Sequence, residues 1–142
     1  MENKVIKESY NKETGYCEVI SQNKYGRFKG TSQCHPDDME HFSVHAGSRY
    51  AEIRANEEYA KFRYNLAKNK LTALKEVKHE LKQLSYNSTD DVKKVERQLN
   101  LKIRDYTESM QNWENLYKYL GTRVNKLDEE REKILNRTKK DN

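Results

Sequence analysis

The stretch from Ile53 to Leu81, IRANEEYAKFRYNLAKNKLTALKEVKHEL, decides the fold. Ile53, Ala60, Tyr64, Ala67, Leu71, Leu74 and Leu81 fall on alternating three- and four-residue steps, with Glu57 and Lys78 as polar interruptions. Such spacing keeps one side of an α-helix apolar and reads as the seam of a coiled coil. No proline follows Pro36, so nothing stops the pattern from Ser43 onward, and it predicts one helix of roughly 42 residues. The run ends at Ser85-Tyr86-Asn87-Ser88, and Ser88-Thr89-Asp90-Asp91 supplies hydroxyl caps and early acids for a second helix. A second seam takes Val92, Val95, Leu99, Ile103, Tyr106, Met110, Trp113, Tyr117, Leu120, Val124, Leu127 and Ile134, slipping phase once between Val95 and Ile103. It predicts a helix of roughly 48 residues, and the short connection folds the two back as an antiparallel αα-hairpin.

Upstream the chemistry changes. Gly15, Gly26, Gly30 and Gly47 lie in the first third of the chain and only Gly121 comes later. Val5-Ile6-Lys7-Glu8-Ser9-Tyr10, Tyr16-Cys17-Glu18-Val19-Ile20-Ser21 and Arg27-Phe28-Lys29-Gly30-Thr31-Ser32 are separated by two polar turns, 11–15 and 23–26. Short alternating runs divided by Asn- and Gly-containing turns predict a three-stranded antiparallel meander. His35-Pro36-Asp37-Asp38-Met39-Glu40 places a proline where a helix begins and acids in its first turn, which predicts a short helical turn into the long helix. The expected fold is therefore α+β and mainly α: a small antiparallel β-meander and helical turn over 1–42, then a long two-helix hairpin over 43–142, acting as a single functional unit.

Composition agrees with so thin an architecture. The 142 residues suit one domain. Apolar residues make up 34% and charged ones 36%, against usual shares of about 45–50% and about 25%. With a mean hydropathy of −1.24, a deep core is excluded, and self-association is expected to complete the fold. One proline and ten tyrosines are not the composition of a disordered chain. No run approaches the roughly 20 apolar residues of a membrane span, and the polar start Met1-Glu2-Asn3-Lys4 is unlike a signal peptide, so a cytoplasmic protein without membrane contact is expected. Cys17 and Cys34 fit that compartment as reduced thiols.

The usual catalytic constellations find little support. Cys34, His35, His41 and His45 lie close together, but there is no CxxC, and the side chains of adjacent Cys34 and His35 diverge in an extended strand; no metal site is expected. Nothing supplies an oriented base or an oxyanion site for a cysteine nucleophile. Neither GxGxxG nor GxxxxGK[ST] occurs, and Tyr25-Gly26-Arg27-Phe28-Lys29-Gly30 reads as part of a hairpin. We expect no enzyme, no catalytic residue and no cofactor. The cations are more informative. Arg49 precedes Tyr50, Arg63 lies between Phe62 and Tyr64, and Arg104 lies two residues before Tyr106. Guanidinium for phosphate and a ring for a base are the two halves of a nucleotide site. The plain alternatives are a solvated helix face, since Glu57, Glu58, Glu80, Asp105 and Glu108 are interleaved, and rings that simply pack in the hairpin or an oligomer interface. The net charge of +5 is spread through that interleaving, which argues against duplex DNA and makes nucleic acid an unexpected partner.

Tyr25-Gly26-Arg27-Phe28-Lys29-Gly30, Cys34-His35-Pro36-Asp37-Asp38, Phe42-Ser43, Ala46-Gly47 and Tyr50-Ala51-Glu52-Ile53-Arg54-Ala55 together resemble a pattern in small phage proteins. It consists of a glycine-bracketed strand, an HP[ED]D turn and a helix opening with G..YAE.RA. With the order of small sheet and two long helices, the chain resembles the phage-encoded Thoeris anti-defence proteins of the cyclic ADP-ribose sponge type. The resemblance rests on residues 25–55 and on architecture beyond them. It implies a protein that binds a cyclic ADP-ribose isomer made by a TIR-domain defence enzyme, holds it intact in the cytoplasm of the infected bacterium, and so blocks immunity. It also implies a homo-oligomer with pockets between subunits, some members taking cyclic oligonucleotides at separate pockets. For a pyrophosphate ligand, Arg97, Arg104 and Arg123 are the expected phosphate contacts and Tyr106, Trp113 and Tyr117 the stacking partners. Arg49 and Arg54, at the start of the first helix, form a second candidate set. The alternative class is a phage hairpin that inhibits a host or defence protein by direct binding.

Overall fold

The computed structural model describes residues 3–35, 39–40, 43–84 and 90–141. Three strands, β1 (Lys4–Asn11), β2 (Tyr16–Asn23) and β3 (Gly26–Gln33), precede two helices, α1 (Val44–Leu84) and α2 (Asp90–Asp141). The sheet is antiparallel in the order β1-β2-β3, so the expected α+β fold of a meander followed by two long helices is the one observed. Pro36 to Asp38 of the expected helical turn, and the Ser85–Thr89 connection with its caps, lie outside the described residues; Met39 and Glu40 form a 3₁₀ turn.

Local chemistry accounts for both hairpins. The Asn11 side-chain oxygen accepts the amides of Glu13 (2.9 Å) and Thr14 (3.3 Å), and the Gly15 amide donates to the Asn11 carbonyl at 2.8 Å. Gly15 has φ +74°, a left-handed conformation that glycine adopts without steric cost. In the second hairpin the Tyr25 amide donates to the Asn23 side chain at 2.8 Å, and Asn23 pairs with Gly26 across a two-residue turn. Ser43 starts α1 as a cap: its hydroxyl accepts the Ala46 amide at 3.3 Å, and its carbonyl accepts that of Gly47 at 2.9 Å. The helices run for 41 and 52 residues, or about 62 and 78 Å.

The chain forms two compact units, Met1–Ala60 with Leu116–Asn142, and Lys61–Asn115. In the first, β2 alternates buried Cys17, Val19 and Ser21 with half-buried neighbours. Cys17 and Val19 pack with Ala51 of α1 and with Val5. Gly30 lets helix and strand touch, because a Cβ there would overlap the Ala51 carbonyl oxygen and the Ala55 amide nitrogen. Ser32 donates to the Gly47 carbonyl at 2.8 Å. Tyr59 closes the far end, its ring 5.1 Å from Phe28 in an edge-on arrangement and 6.4 Å from Tyr25. Buried Ser21 is satisfied by Asn3, whose amide donates to it at 2.7 Å and to the Asn56 side chain at 3.0 Å, while Ser21 donates to the Phe28 carbonyl. On α1, Ile53 and Ala60 are buried beside this sheet-facing row, and Leu120 and Val124 of α2 are buried in the same unit.

In the second unit the helices run antiparallel. The Arg63 guanidinium lies 4.6 Å over the Trp113 ring and Lys70 Nζ lies 5.5 Å over Tyr106; seven residues forward on α1 correspond to seven back on α2. The α1 seam is as expected, with Ala67 and Leu71 buried and Tyr64, Leu74, Lys78 and Leu81 half-buried. The α2 seam differs at two places. Val95 is 45% exposed while Glu96 is half-buried, because the row that continues to Leu99 and Ile103 passes through Val92 and Glu96. Tyr117 is also exposed, at 40%, since the covered row steps from Trp113 to Leu120, one full heptad.

Candidate functional site

Beside the Gly30 contact, residues of β3 and α1 line a cleft of about 410 Å³. Arg27, Phe28, Lys29, Gly30 and Thr31 of β3 form one wall, and Arg54, Glu57 and Glu58 of α1 the other. Its volume lies at the lower end of ordinary ligand pockets, about 300–1,000 Å³. Arg54, Glu57 and Glu58 come together because residues three and four apart share a helix face. Arg27, Lys29 and Arg54 against Glu57 and Glu58 give the lining one surplus positive charge, and Lys29 is also paired with Glu18 at 3.4 Å. Burial pushes the Glu57 carboxyl above the ordinary range; nearby Arg54 opposes this and Glu58 adds to it. The site therefore offers fixed positive charge for phosphate, carboxylate oxygens that accept hydroxyl or amino protons, and one aromatic residue.

Of the residues expected from sequence, Arg54 lines this cleft and Arg49 is exposed earlier on α1. Tyr117 and Arg123 belong to the same unit, the latter half-buried. Arg97, Arg104, Tyr106 and Trp113 belong to the other unit. There Arg97 and Arg104 are exposed, the former donating to the Lys93 carbonyl at 3.4 Å, whereas Tyr106 and Trp113 are half-buried beneath Lys70 and Arg63. Arg104 and Tyr106 differ by two residues, about 200° around the helix, so α2 sends these two side chains to opposite sides. Arg27, Phe28 and Lys29 are not among the residues expected from sequence to bind a ligand, because Tyr25-Gly26-Arg27-Phe28-Lys29-Gly30 reads as part of a hairpin; the signal is its two cations flanking Phe28 between the glycines.

The remaining reactive groups are quiet. Cys17 and Cys34 are free thiols. Burial pushes the Cys17 thiol up, with hydrogen bonds to Ser32 and Ser48 opposing the shift, so it stays protonated near neutral pH. Among the described residues no group of three His, Cys, Asp or Glu is arranged to hold a metal ion; His41 lies outside them. No helix among the described residues is long and apolar enough to cross a membrane. Comparison of the chain with protein families, with curated proteins and with solved structures finds no match in any of the three.

Proposed function

We propose that this protein is a phage anti-defence sponge that binds a cyclic ADP-ribose isomer without cleaving it and thereby blocks Thoeris immunity in the cytoplasm of the infected host. The observation that carries the reading is that Arg27, Lys29 and Arg54 line one cleft beside Phe28. A sponge acts stoichiometrically, so it must hold its ligand at nanomolar concentration, which corresponds to about −12 kcal/mol. Three charge-assisted contacts contribute about 1.5–3 kcal/mol each, and stacking of adenine adds about 1–3 kcal/mol. The loss of ligand freedom on binding offsets much of that. An open cleft in one chain thus falls short, which favours a homo-oligomer whose neighbouring subunit adds contacts; exposed Arg97 and Arg104 are suited to that role.

The test is incubation of the pure protein with cyclic ADP-ribose isomers, removal of free ligand, heating and mass analysis of what is released. Recovery of the intact cyclic molecule is expected; no binding, or a linear product, sinks the proposal. Arg27→Ala and Arg54→Ala should each weaken binding by at least about tenfold, the lower value for a charge-assisted bond, and unchanged affinity in both would move the site elsewhere. A second reading, direct inhibition of a host or defence protein, is favoured by exposed Leu116, Tyr117 and Tyr119 on α2. Thoeris inhibition that survives in a variant without ligand binding would select it.

A further inference from the structure

On the side of the sheet away from α1, strand register gathers charges that the linear sequence scatters. β2 turns Cys17, Val19 and Ser21 toward the helix, so Tyr16, Glu18, Ile20 and Gln22 point the other way. Pairing sets Lys4 and Arg27 on either side of Gln22, and Lys7 and Lys29 on either side of Ile20. The bulge between Val5 and Lys7 makes the second row possible. Were Ile6 an ordinary strand residue rather than part of a bulge, alternation from helix-facing Val5 would turn Lys7 toward the helix side. All four cations are exposed. They occupy a patch about 7 Å along the strands and about 10 Å across them. One acid, Glu18, lies in the next row, 3.4 Å from Lys29, and it accepts the Tyr16 hydroxyl at 2.9 Å. Among the described residues Lys4, Lys7 and Arg27 have no ion pair.

The chemistry of this face selects its partner. A protein interface needs an apolar centre, and the aliphatic side chains at these rows are half-buried Ile20 and, at the bulge, exposed Ile6, too little apolar area for one. Three of the four cations are lysines, point charges that attract an anionic backbone without fixing its geometry. Gln22, Ser9 and Thr31 on the same face add neutral hydrogen-bonding groups of the kind that contact phosphate and sugar. A duplex requires a longer basic stripe, whereas a flexible single strand can follow a patch of this size. We propose that the outer face of the sheet binds the sugar–phosphate backbone of a linear single-stranded nucleic acid, without reading its sequence, through Lys4, Lys7, Arg27 and Lys29. Arg27 and Lys29 also line the cleft, whereas Lys4 and Lys7 line no part of it, so those two lysines tell the two sites apart.

Fluorescence anisotropy with a labelled 20-nucleotide oligothymidylate tests the proposal. Four phosphate contacts give a log–log salt slope of about −2.8, a loss of about 50-fold in affinity for a fourfold rise in salt. Lys4→Gln with Lys7→Gln should halve the slope and reduce that loss to about 7-fold, without changing cyclic ADP-ribose binding. Arg54→Ala should leave oligothymidylate binding unchanged. Both lysines are exposed, and an unshifted melting temperature verifies the fold of the double variant. Failure of the parent protein to bind at low salt, an unchanged slope in the double variant, or equally tight binding of an oligoglutamate of matched charge would overturn the proposal, the last in favour of an acidic protein.

Discussion

Replacing Gly30 by alanine tests the contact from which both the core of the first unit and the cleft are built. A Cβ at that position overlaps two backbone atoms of α1, the Ala51 carbonyl oxygen and the Ala55 amide nitrogen, and lies 3.0 Å from the Ala51 carbonyl carbon. Backbone cannot rotate aside as a side chain can, so the helix must retreat from the strand and loosen Cys17, Val19 and Ala51, each fully buried. Overpacking of a core costs about 1–3 kcal/mol, and collision with backbone puts this variant near the upper limit. At about 4 °C per kcal/mol for a chain of this size, the melting temperature should fall by about 12 °C. Gly121→Ala is the matched control. It lies within α2 with nothing within 4 Å of an added Cβ, and helix propensity alone should raise stability by about 1 kcal/mol, or about 4 °C. Circular dichroism melts at one protein concentration measure both. If Gly30→Ala melts within about 2 °C of the parent, α1 does not rest on β3 as described, and the cleft argument falls with it.

Three other expectations follow from particular contacts. Because the Glu57 carboxyl is raised by burial, the folded protein takes up a proton before the unfolded chain does, so stability should rise as pH falls through that raised value toward the ordinary glutamate range. Urea midpoints between about pH 7.5 and 5 should show this rise in the parent and not in Glu57→Gln. Arg63→Ala removes the guanidinium over Trp113, which should cost about 0.5–1 kcal/mol. Since Trp113 is the only tryptophan, its emission should shift in this variant and stay constant in Lys70→Ala. Calorimetry of Arg104→Ala and Arg123→Ala with cyclic ADP-ribose decides whether α2 belongs to the ligand site; unchanged affinity in both removes it.

The site was legible in the sequence only in part. Arg54 could be picked out, with Arg49, because it lies near the start of a clearly signalled helix, where anions are favoured. Arg27 and Lys29 could not be joined to it, since they precede Arg54 by 27 and 25 positions, and only the Gly30 contact brings strand and helix together. Conversely, Arg104 and Tyr106 looked like partners because they are close in sequence, yet a two-residue offset is among the worst for sharing a helix face.

Helix and strand identity were determined by the sequence itself, because both are short-range properties. The three-and-four spacing from Ile53 to Leu81, the caps at Ser43 and the Asn-Gly turns act over a few residues, and the observed elements follow them closely. Tertiary structure alone decided which faces of those elements are covered. The bulge at Ile6 turned Lys7 outward, the heptad from Trp113 to Leu120 left Tyr117 exposed, and the approach of Ala51 to Gly30 opened the cleft. Each depends on contacts between residues far apart in the chain, and such contacts leave no periodic trace in the sequence from which they could be read.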